Sequence, residues 1–359
     1  MTNIVFYPVF SVKQLDPYLP PECRWWRKEC PIYIPRVLIG YGTVFTSSYS
    51  SNIALYKEVR KTFEMSGASV MADSGGFQLA IGKNIDLSID EVVEWQANNA
   101  DVVFGLDIPP PRLGKSKNTS FFEEYALKSS KNYEKQLKYL DKHGNKKFVL
   151  VLHGTSKDEL DTWWEIAIKP FIDIVDYVAY PPTPKTASQT AFALAYMVNK
   201  GVKNVHILAG SGERSTAVLA LFKKYFKTFT MDSSSFSRDA GWLRAYIPGT
   251  MKVVELGVRG SKKKGLKEFI CNCPVCSKIG YVTLDVLLEL HNLLHTVIYI
   301  DMVNLLNSKE LYKLIGLKKI KTFFELFQDK GFDDAYSFFV KTTNISAHKK
   351  RIGGVSKWL

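Results

Sequence analysis

Val70-Met-Ala-Asp-Ser-Gly-Gly76 is a short apolar run that ends on an acid and a pair of glycines. It is too short for a typical globular helix and reads as a buried strand closed by a turn. Runs of the same kind recur at Val37–Tyr41, Val102–Asp107, Phe148–His153, Tyr177–Tyr180, Val205–Ala209, Thr228–Asp232 and Val253–Leu256, which makes eight with Val70–Asp73. Helix-like stretches separate most of them: Ile89–Asn99, Phe121–Leu140, Glu159–Ile168, Ala187–Asn199 and Thr216–Tyr225. Strands alternating with helices predict an α/β protein with a parallel sheet. Eight such units over about 220 residues predict a TIM-like (β/α)8 barrel, whose usual size is about 250 residues. A doubly wound open sheet is the alternative. It is disfavoured because no GxGxxG follows the first run and no GxxxxGK[ST] occurs anywhere.

Polar and small residues gather where these runs end. Asp73-Ser-Gly-Gly76 closes one, Asp107 with Pro109-Pro-Pro111 the next, then His153-Gly154, Gly210-Ser-Gly212 and Asp232-Ser-Ser-Ser235. In a barrel these ends share the rim on which active sites are built. Three carboxylates aimed into one mouth repel unless they are paired, hydrogen-bonded or shifted in pKa, which makes Asp73, Asp107 and Asp232 candidates for chemistry.

The second informative stretch is Cys271-Asn-Cys-Pro-Val-Cys276, with His291 following on a Leu-rich helix predicted over residues 282–306. Three thiols and one imidazole suit tetrahedral zinc, and Asn and Pro suit the turn that converges them. Four protein ligands close the shell, so the expected zinc is structural. His295, one helical turn beyond His291, is the alternative fourth ligand.

The chain has 359 residues, 46% of them hydrophobic, ample for a sizeable core. Its net charge of +13 points to a polyanionic partner, nucleic acid before anionic membrane. No apolar run approaches the roughly 20 residues of a membrane span, so no membrane partner is expected. The segment Met1–Phe10 lacks a basic start and a small-residue cleavage site, so no signal peptide is expected. Cys23 and Cys30 are read as reduced thiols in a cytoplasm. The predicted division is an extended, aromatic N-terminal cover over 1–36, a catalytic barrel over 37–258, an inserted zinc-binding subdomain over 259–307 and a basic, mostly helical tail over 308–359. Basic clusters lie at Arg259–Lys264, Lys318–Lys321 and His348–Arg351.

At this point the chain resembles a known family. Asp73-Ser-Gly-Gly-Phe-Gln78 is similar to the DSGG[FY]Q signature of tRNA-guanine transglycosylases. Ala100–Asp107 resembles that family's strand ending in a base-reading acid, Phe229–Phe236 the archaeal form of its nucleophile segment, and Cys271–Cys276 with His291-Asn-Leu293 its zinc motif. The resemblance covers roughly residues 70–295, in order, and implies an irregular (β/α)8 barrel with an inserted zinc site. It implies base exchange, in which guanine leaves its sugar in a polynucleotide and a free 7-deazaguanine takes its place. By position, Asp232 would be the nucleophile and Asp73 the general acid and base. Asp107 would read the guanine edge, Phe77 would stack on the base, and Ser74, Gln78, His153 and Gly210 would line the pocket.

Departures from the family narrow the expectation. His153-Gly154 stands where most members have Gln-Gly, and Tyr180-Pro-Pro-Thr183 where bacterial members read the 7-substituent. Ser235-Phe-Ser-Arg238 replaces a PTR run, and the spacing from Cys276 to His291 is short. No appended RNA-binding domain is expected. These changes make the chain most similar to the DNA-modifying, DpdA-type 7-deazaguanine transglycosylases of phages and bacterial modification islands, which use bases such as preQ0. DNA is therefore the expected polymer and tRNA the alternative, in the cytoplasm of a bacterium or an infected host. The resemblance also allows a homodimer, or a non-catalytic partner subunit that keeps only fold and zinc.

Overall fold

A computed structural model describes residues 2–10, 19–40, 63, 67–76, 88–110, 119–144, 146–182, 186–210, 212–257, 271–279 and 283–343. Its centre is an eight-stranded sheet. The strands are β1 (Ile4–Pro8), β2 (Arg36–Gly40), β3 (Ser69–Asp73), β4 (Val102–Phe104), β5 (Lys147–Val151), β6 (Tyr177–Tyr180), β7 (Asn204–Ile207) and β8 (Thr228–Ser233). All pair in parallel, in the spatial order β1-β8-β7-β6-β5-β4-β3-β2. The two outer strands then meet. Val9 forms a parallel bridge with Leu38, and the Phe10 N–H donates to the Leu38 carbonyl at 2.8 Å. The sheet is thus nearly closed into a barrel.

Helices α1 (Ile89–Asn99), α2 (Thr119–His143), α3 (Lys157–Trp163), α4 (Ala187–Asn199) and α5 (Glu213–Phe222) carry the chain from each strand to the next between β3 and β8. Strand parity explains why the sequence runs are continuously apolar. Val149 and Val151 join Tyr7, Leu38, Met71 and Phe104 in a cluster that fills the barrel, while their neighbours Phe148 and Leu150 pack outward in the main core under the helices. A strand buried on both faces has no polar side to show. Two acids fasten the N-terminal rim: Asp101 accepts the Val70 N–H at 2.9 Å, and Asp176 accepts the Phe148 N–H at 3.1 Å.

The strand count of eight agrees with the sequence, but the identities shift at both ends. Ile4–Pro8, read as part of an extended cover, is a full barrel strand paired with β8. Val253–Leu256, read as the eighth barrel strand, instead supplies β10 (Val253–Glu255) of a two-stranded antiparallel ribbon with β9 (Arg244–Tyr246). The physical reason is burial. Ile4 and Phe6 are buried, whereas the first and last residues of β10 are exposed and only Leu256 beyond it enters a core. The barrel therefore begins before residue 36.

After β8 come α6 (Ser235–Gly241), the ribbon, the short α7 (Pro274–Lys278) and the long α8 (Leu284–Leu305). Helix α8 is long and apolar enough to cross a membrane by length and composition, yet 67% of its most apolar window is buried inside the protein. Its C-terminal end grips β1: Asn304 accepts the Ile4 N–H at 2.9 Å and donates to the Ile4 carbonyl at 3.1 Å. Helices α9 (Ser308–Ile315), α10 (Lys318–Lys330) and α11 (Phe332–Thr343) then pack on α4 and α5, with Phe339 stacked on Phe192 at 4.7 Å. The basic clusters at 259–264 and 348–351 lie outside the described residues.

Candidate active site and metal centre

The parity that fills the barrel also aims its acids. In β3, Val70 and Ala72 face the helices and Met71 faces inward, so Asp73 ends the strand on the inward side. In β8, Phe229 and Met231 face the helices, which turns Thr230 and Asp232 inward. Asp107 lies three residues beyond β4, in the loop at the same rim. The charges of Asp107 and Asp232 both act on Asp73. The three predicted acids therefore share one mouth.

Asp73 carries the largest consequence. Burial first, and then its two acidic neighbours, push its carboxyl up to about 7, against the pull of the Gly75 and Ser74 amides. It can hold a proton near neutrality, as a general acid must. Gly75 has φ +84°, a conformation glycine adopts without penalty. A Cβ on Gly76 would stand 2.4 Å from the Asp107 carbonyl and 2.7 Å from its Oδ1, so the second glycine is what lets β3 and the Asp107 loop approach. The hydroxyl of Ser74 is fully buried and has no hydrogen-bond partner among the described residues. A buried orphan of this kind calls for a partner.

Two histidines hold the other two acids. His153 Nε2 lies 2.6 Å from Asp107 Oδ2, with the imidazole edge-on to Trp163 at 4.7 Å. His206 Nε2 lies 3.1 Å from Asp232 Oδ1, and the Ala209 N–H donates to the same oxygen at 2.9 Å. Gly210 follows Ala209 and is buried against Ile207. Phe77, Gln78 and Thr183 lie outside the described residues.

A buried amide relay sets the acids in place. Gln96 Nε2 donates to the Ala72 and Phe104 carbonyls, both at 2.9 Å. Gln136 donates to Gln96 Oε1 at 3.0 Å and accepts the Leu106 N–H at 2.6 Å. Ala72 precedes Asp73 and Leu106 precedes Asp107, so α1 and α2 clamp the backbone under both carboxylates. Sequence reading passed over Gln96, Gln136, His206, Thr230 and Ala209. Only the inward parity of His206, readable from Val205 and Ile207 around it, was an available signal.

Asp73 makes a pH prediction. Its folded-state pKa of about 7 lies above the ordinary 3.8, so folding takes up a proton between those values. Its contribution to stability is fully present below about pH 4 and is lost as pH rises through about 7. Asp73→Asn removes that loss. In thermal melts from pH 4 to 8 the variant should gain on the wild type with rising pH, by on the order of 1 kcal/mol or more at pH 8. Parallel curves would refute the raised pKa.

The metal centre is separate from the mouth. One atom each from Cys271, Cys273, Cys276 and His291 lies within 4.8 Å of all the others, so the group could hold a metal ion. His291 Nδ1 is 3.6 Å from Cys273 Sγ and 3.4 Å from Cys276 Sγ. A tetrahedron with Zn–S about 2.3 Å and Zn–N about 2.0–2.1 Å has S···N edges of about 3.6 Å, so the donor set fits zinc. The other ring nitrogen of His291 donates to the Tyr246 carbonyl at 2.8 Å, which fixes the ring. Burial and mutual crowding push the Cys271 and Cys276 thiols up, the strain a cation would relieve. The group that converges contains His291 and not His295, whose Nδ1 accepts the Gly249 N–H at 3.1 Å instead.

The residue after the ligand matters as much. Asn292 accepts the Tyr246 N–H at 2.8 Å and donates to the Arg244 and Phe236 carbonyls. It ties the metal-bearing helix to the ribbon and to α6, the helix that begins three residues after Asp232.

No family model matches the chain. It is similar to the protein called Uncharacterized protein 306 of Sulfolobus islandicus rod-shaped virus 1, with 26% identity over 191 residues. The match covers 51% of this chain and 54% of that protein, so the chain spans about half the length of the curated relative it matches.

Proposed function

We propose that the protein is a guanine transglycosylase that exchanges guanine in a polynucleotide for a free 7-deazaguanine, on a TIM-like (β/α)8 barrel with a structural zinc lobe. The observation that carries the reading is three acids in one mouth, one of them, Asp73, held up to about 7 by burial and by the other two. Pairs of carboxyl groups with divided pKa values are how one site runs acid and nucleophilic chemistry together.

In this reading Asp232 attacks C1′ as the C1′–N9 bond breaks, and the electron pair leaves with guanine, which takes a proton from Asp73. The glycosyl ester on Asp232 waits while the bases exchange. The incoming base gives its N9 proton to Asp73, N9 attacks C1′, and Asp232 leaves as a carboxylate. Two inversions retain the sugar configuration, the logic of a covalent carboxylate nucleophile. Asp107, steadied by His153, offers its second oxygen to the N1–H and N2–H₂ donors of guanine. Ser74 is the buried hydroxyl in need of a partner. The base must leave the stack to reach such a pocket.

DNA is the favoured polymer. The sequence departs from tRNA enzymes at His153, Tyr180–Thr183 and Ser235–Arg238, and the relative it matches is viral. The net charge of +13 suits phosphate contacts on either polymer. A non-catalytic partner subunit is disfavoured because Asp73, Asp107 and Asp232 are all kept. The test is to incubate the protein with labelled guanine or preQ0 and either duplex DNA or tRNA. Label is expected in DNA. Label in tRNA alone overturns the choice of polymer, and label in neither overturns the reading.

A further inference from the structure

His206 is fully buried inside a barrel otherwise filled by Tyr7, Leu38, Met71, Val102, Phe104, Val149, Val151 and Ala179. The edge of Phe104 packs against it at 5.1 Å. An imidazole in such surroundings is costly unless both nitrogens are satisfied. Both are: Nε2 faces Asp232 Oδ1 at 3.1 Å and Nδ1 faces Thr230 Oγ1 at 2.8 Å. The register places Thr230 beside His206 on the neighbouring strand, two residues before Asp232. Thr230 Oγ1 also lies 3.3 Å from the Val205 carbonyl. Its hydroxyl proton can therefore point either to Nδ1 or to Val205.

The Asp232 carboxylate is held asymmetrically. Oδ1 accepts from the Ala209 N–H and from His206, while no described residue donates to Oδ2. Ala209 sits at φ +50°, an uncommon conformation for alanine that accompanies the hydrogen bond from its backbone N–H to Asp232 Oδ1.

We propose that His206, backed by Thr230, is the positioning residue of Asp232: it donates from Nε2 to Oδ1 and so selects Oδ2 as the attacking atom. The inference rests on the base-exchange reading for its kinetic consequence, but its geometry does not. With Nε2 protonated, Nδ1 accepts the Thr230 hydroxyl. When Oδ2 bonds to C1′, Oδ1 becomes the ester carbonyl oxygen and keeps both donors. When the C1′–Oδ2 bond breaks, its electron pair stays on Oδ2 and the charge spreads over both oxygens, where the same two donors stabilise it at Oδ1, which makes Asp232 a competent leaving group. No proton is transferred to or from His206 in either step.

The test uses the full-length protein and three substitutions. His206→Leu removes the donor and should lower kcat by about 10- to 100-fold, the range for a lost hydrogen bond to a charged group, with KM for the polymer changed little. His206→Gln can reach Asp232 with its amide N–H and accept Thr230 with its oxygen, so it should recover activity to within about threefold of wild type. A merely structural role predicts no such rescue order. Independently of activity, nitrogen NMR of histidine-labelled protein should find His206 protonated on Nε2 and bare on Nδ1, with the Nε2 signal moved by Asp232→Asn. Protonation on Nδ1 with a bare Nε2 overturns the proposal, as does a Leu variant as active as Gln. Failure of the wild type to exchange any base, with the Nε2 proton in place, sinks the base-exchange reading instead.

Discussion

Asp232→Ala is expected to abolish base exchange, by at least about 10³-fold, because no other carboxylate can take the covalent step from the same place. Alanine also leaves two donors, the Ala209 N–H and His206 Nε2, facing an empty space. An orphaned buried donor costs about 1–3 kcal/mol, so the alanine variant should melt measurably lower. Asp232→Asn separates the two effects. Its amide oxygen can still accept both donors at Oδ1, yet it is too weak a nucleophile to form the ester. The asparagine variant should therefore keep the wild-type melting temperature within a few degrees and lose exchange as completely as alanine. A denaturing gel checks the step directly: wild type with DNA and no incoming base should trap a slow-migrating covalent adduct, and neither variant should. Exchange surviving in either variant removes Asp232 from the nucleophile role. An adduct without Asp232 would point to Asp73 or Asp107 in its place.

Such a clean separation is available because the fold places chemistry by parity, and parity is also what made much of it legible. Runs such as Phe148–His153 and Val205–Ala209 are apolar throughout because both faces are buried, so they stand out from amphipathic helices in a single sequence. Ile4–Pro8 did not stand out. It carries two aromatics and a proline, and its partner β8 lies more than 200 residues away, where only three-dimensional closure reveals the pairing. Val253–Glu255 misled for the opposite reason, since a local apolar pair is enough for an exposed ribbon. The acids at strand ends were legible because charge in that position has no structural excuse. His206 and Thr230 were not, because one polar residue within a strand has no meaning until the facing side is known. Gln96 and Gln136 lie on different helices and acquire their role only when those helices pack on adjacent strands. The choice between His291 and His295 was likewise closed to spacing, since both share a helix face. Only His291 converges with the three thiols once the helix is placed.

Cys273→Ser should cost the protein its metal and much of its stability together. Ligands that are thiolates when bound make metal affinity part of folding free energy, on the order of 10 kcal/mol for small zinc domains. Here a larger core shares the load, so a fall in melting temperature of roughly 5–15 °C is expected, against about 2–4 °C per kcal/mol for a chain of this size class. The Cys273 carbonyl accepts the Ser277 N–H at 3.0 Å and hydroxyl at 2.9 Å, and serine leaves those bonds intact. The loss then reports on the metal and not on helix α7. Metal analysis after dialysis should find about one zinc per wild-type chain and little in the variant, while His295→Ala should keep its zinc. A chelator should lower the wild-type melting temperature to that of the variant and leave the variant unmoved. Exchange should weaken as well, though less than in Asp232→Ala. Without the metal, α8 loses the anchor that His291 provides, and Asn292 next to it no longer holds Phe236 in the helix that follows the nucleophile. A full zinc complement in Cys273→Ser would refute the ligand assignment. Normal exchange in a zinc-free chain would show that the lobe braces nothing the reaction needs.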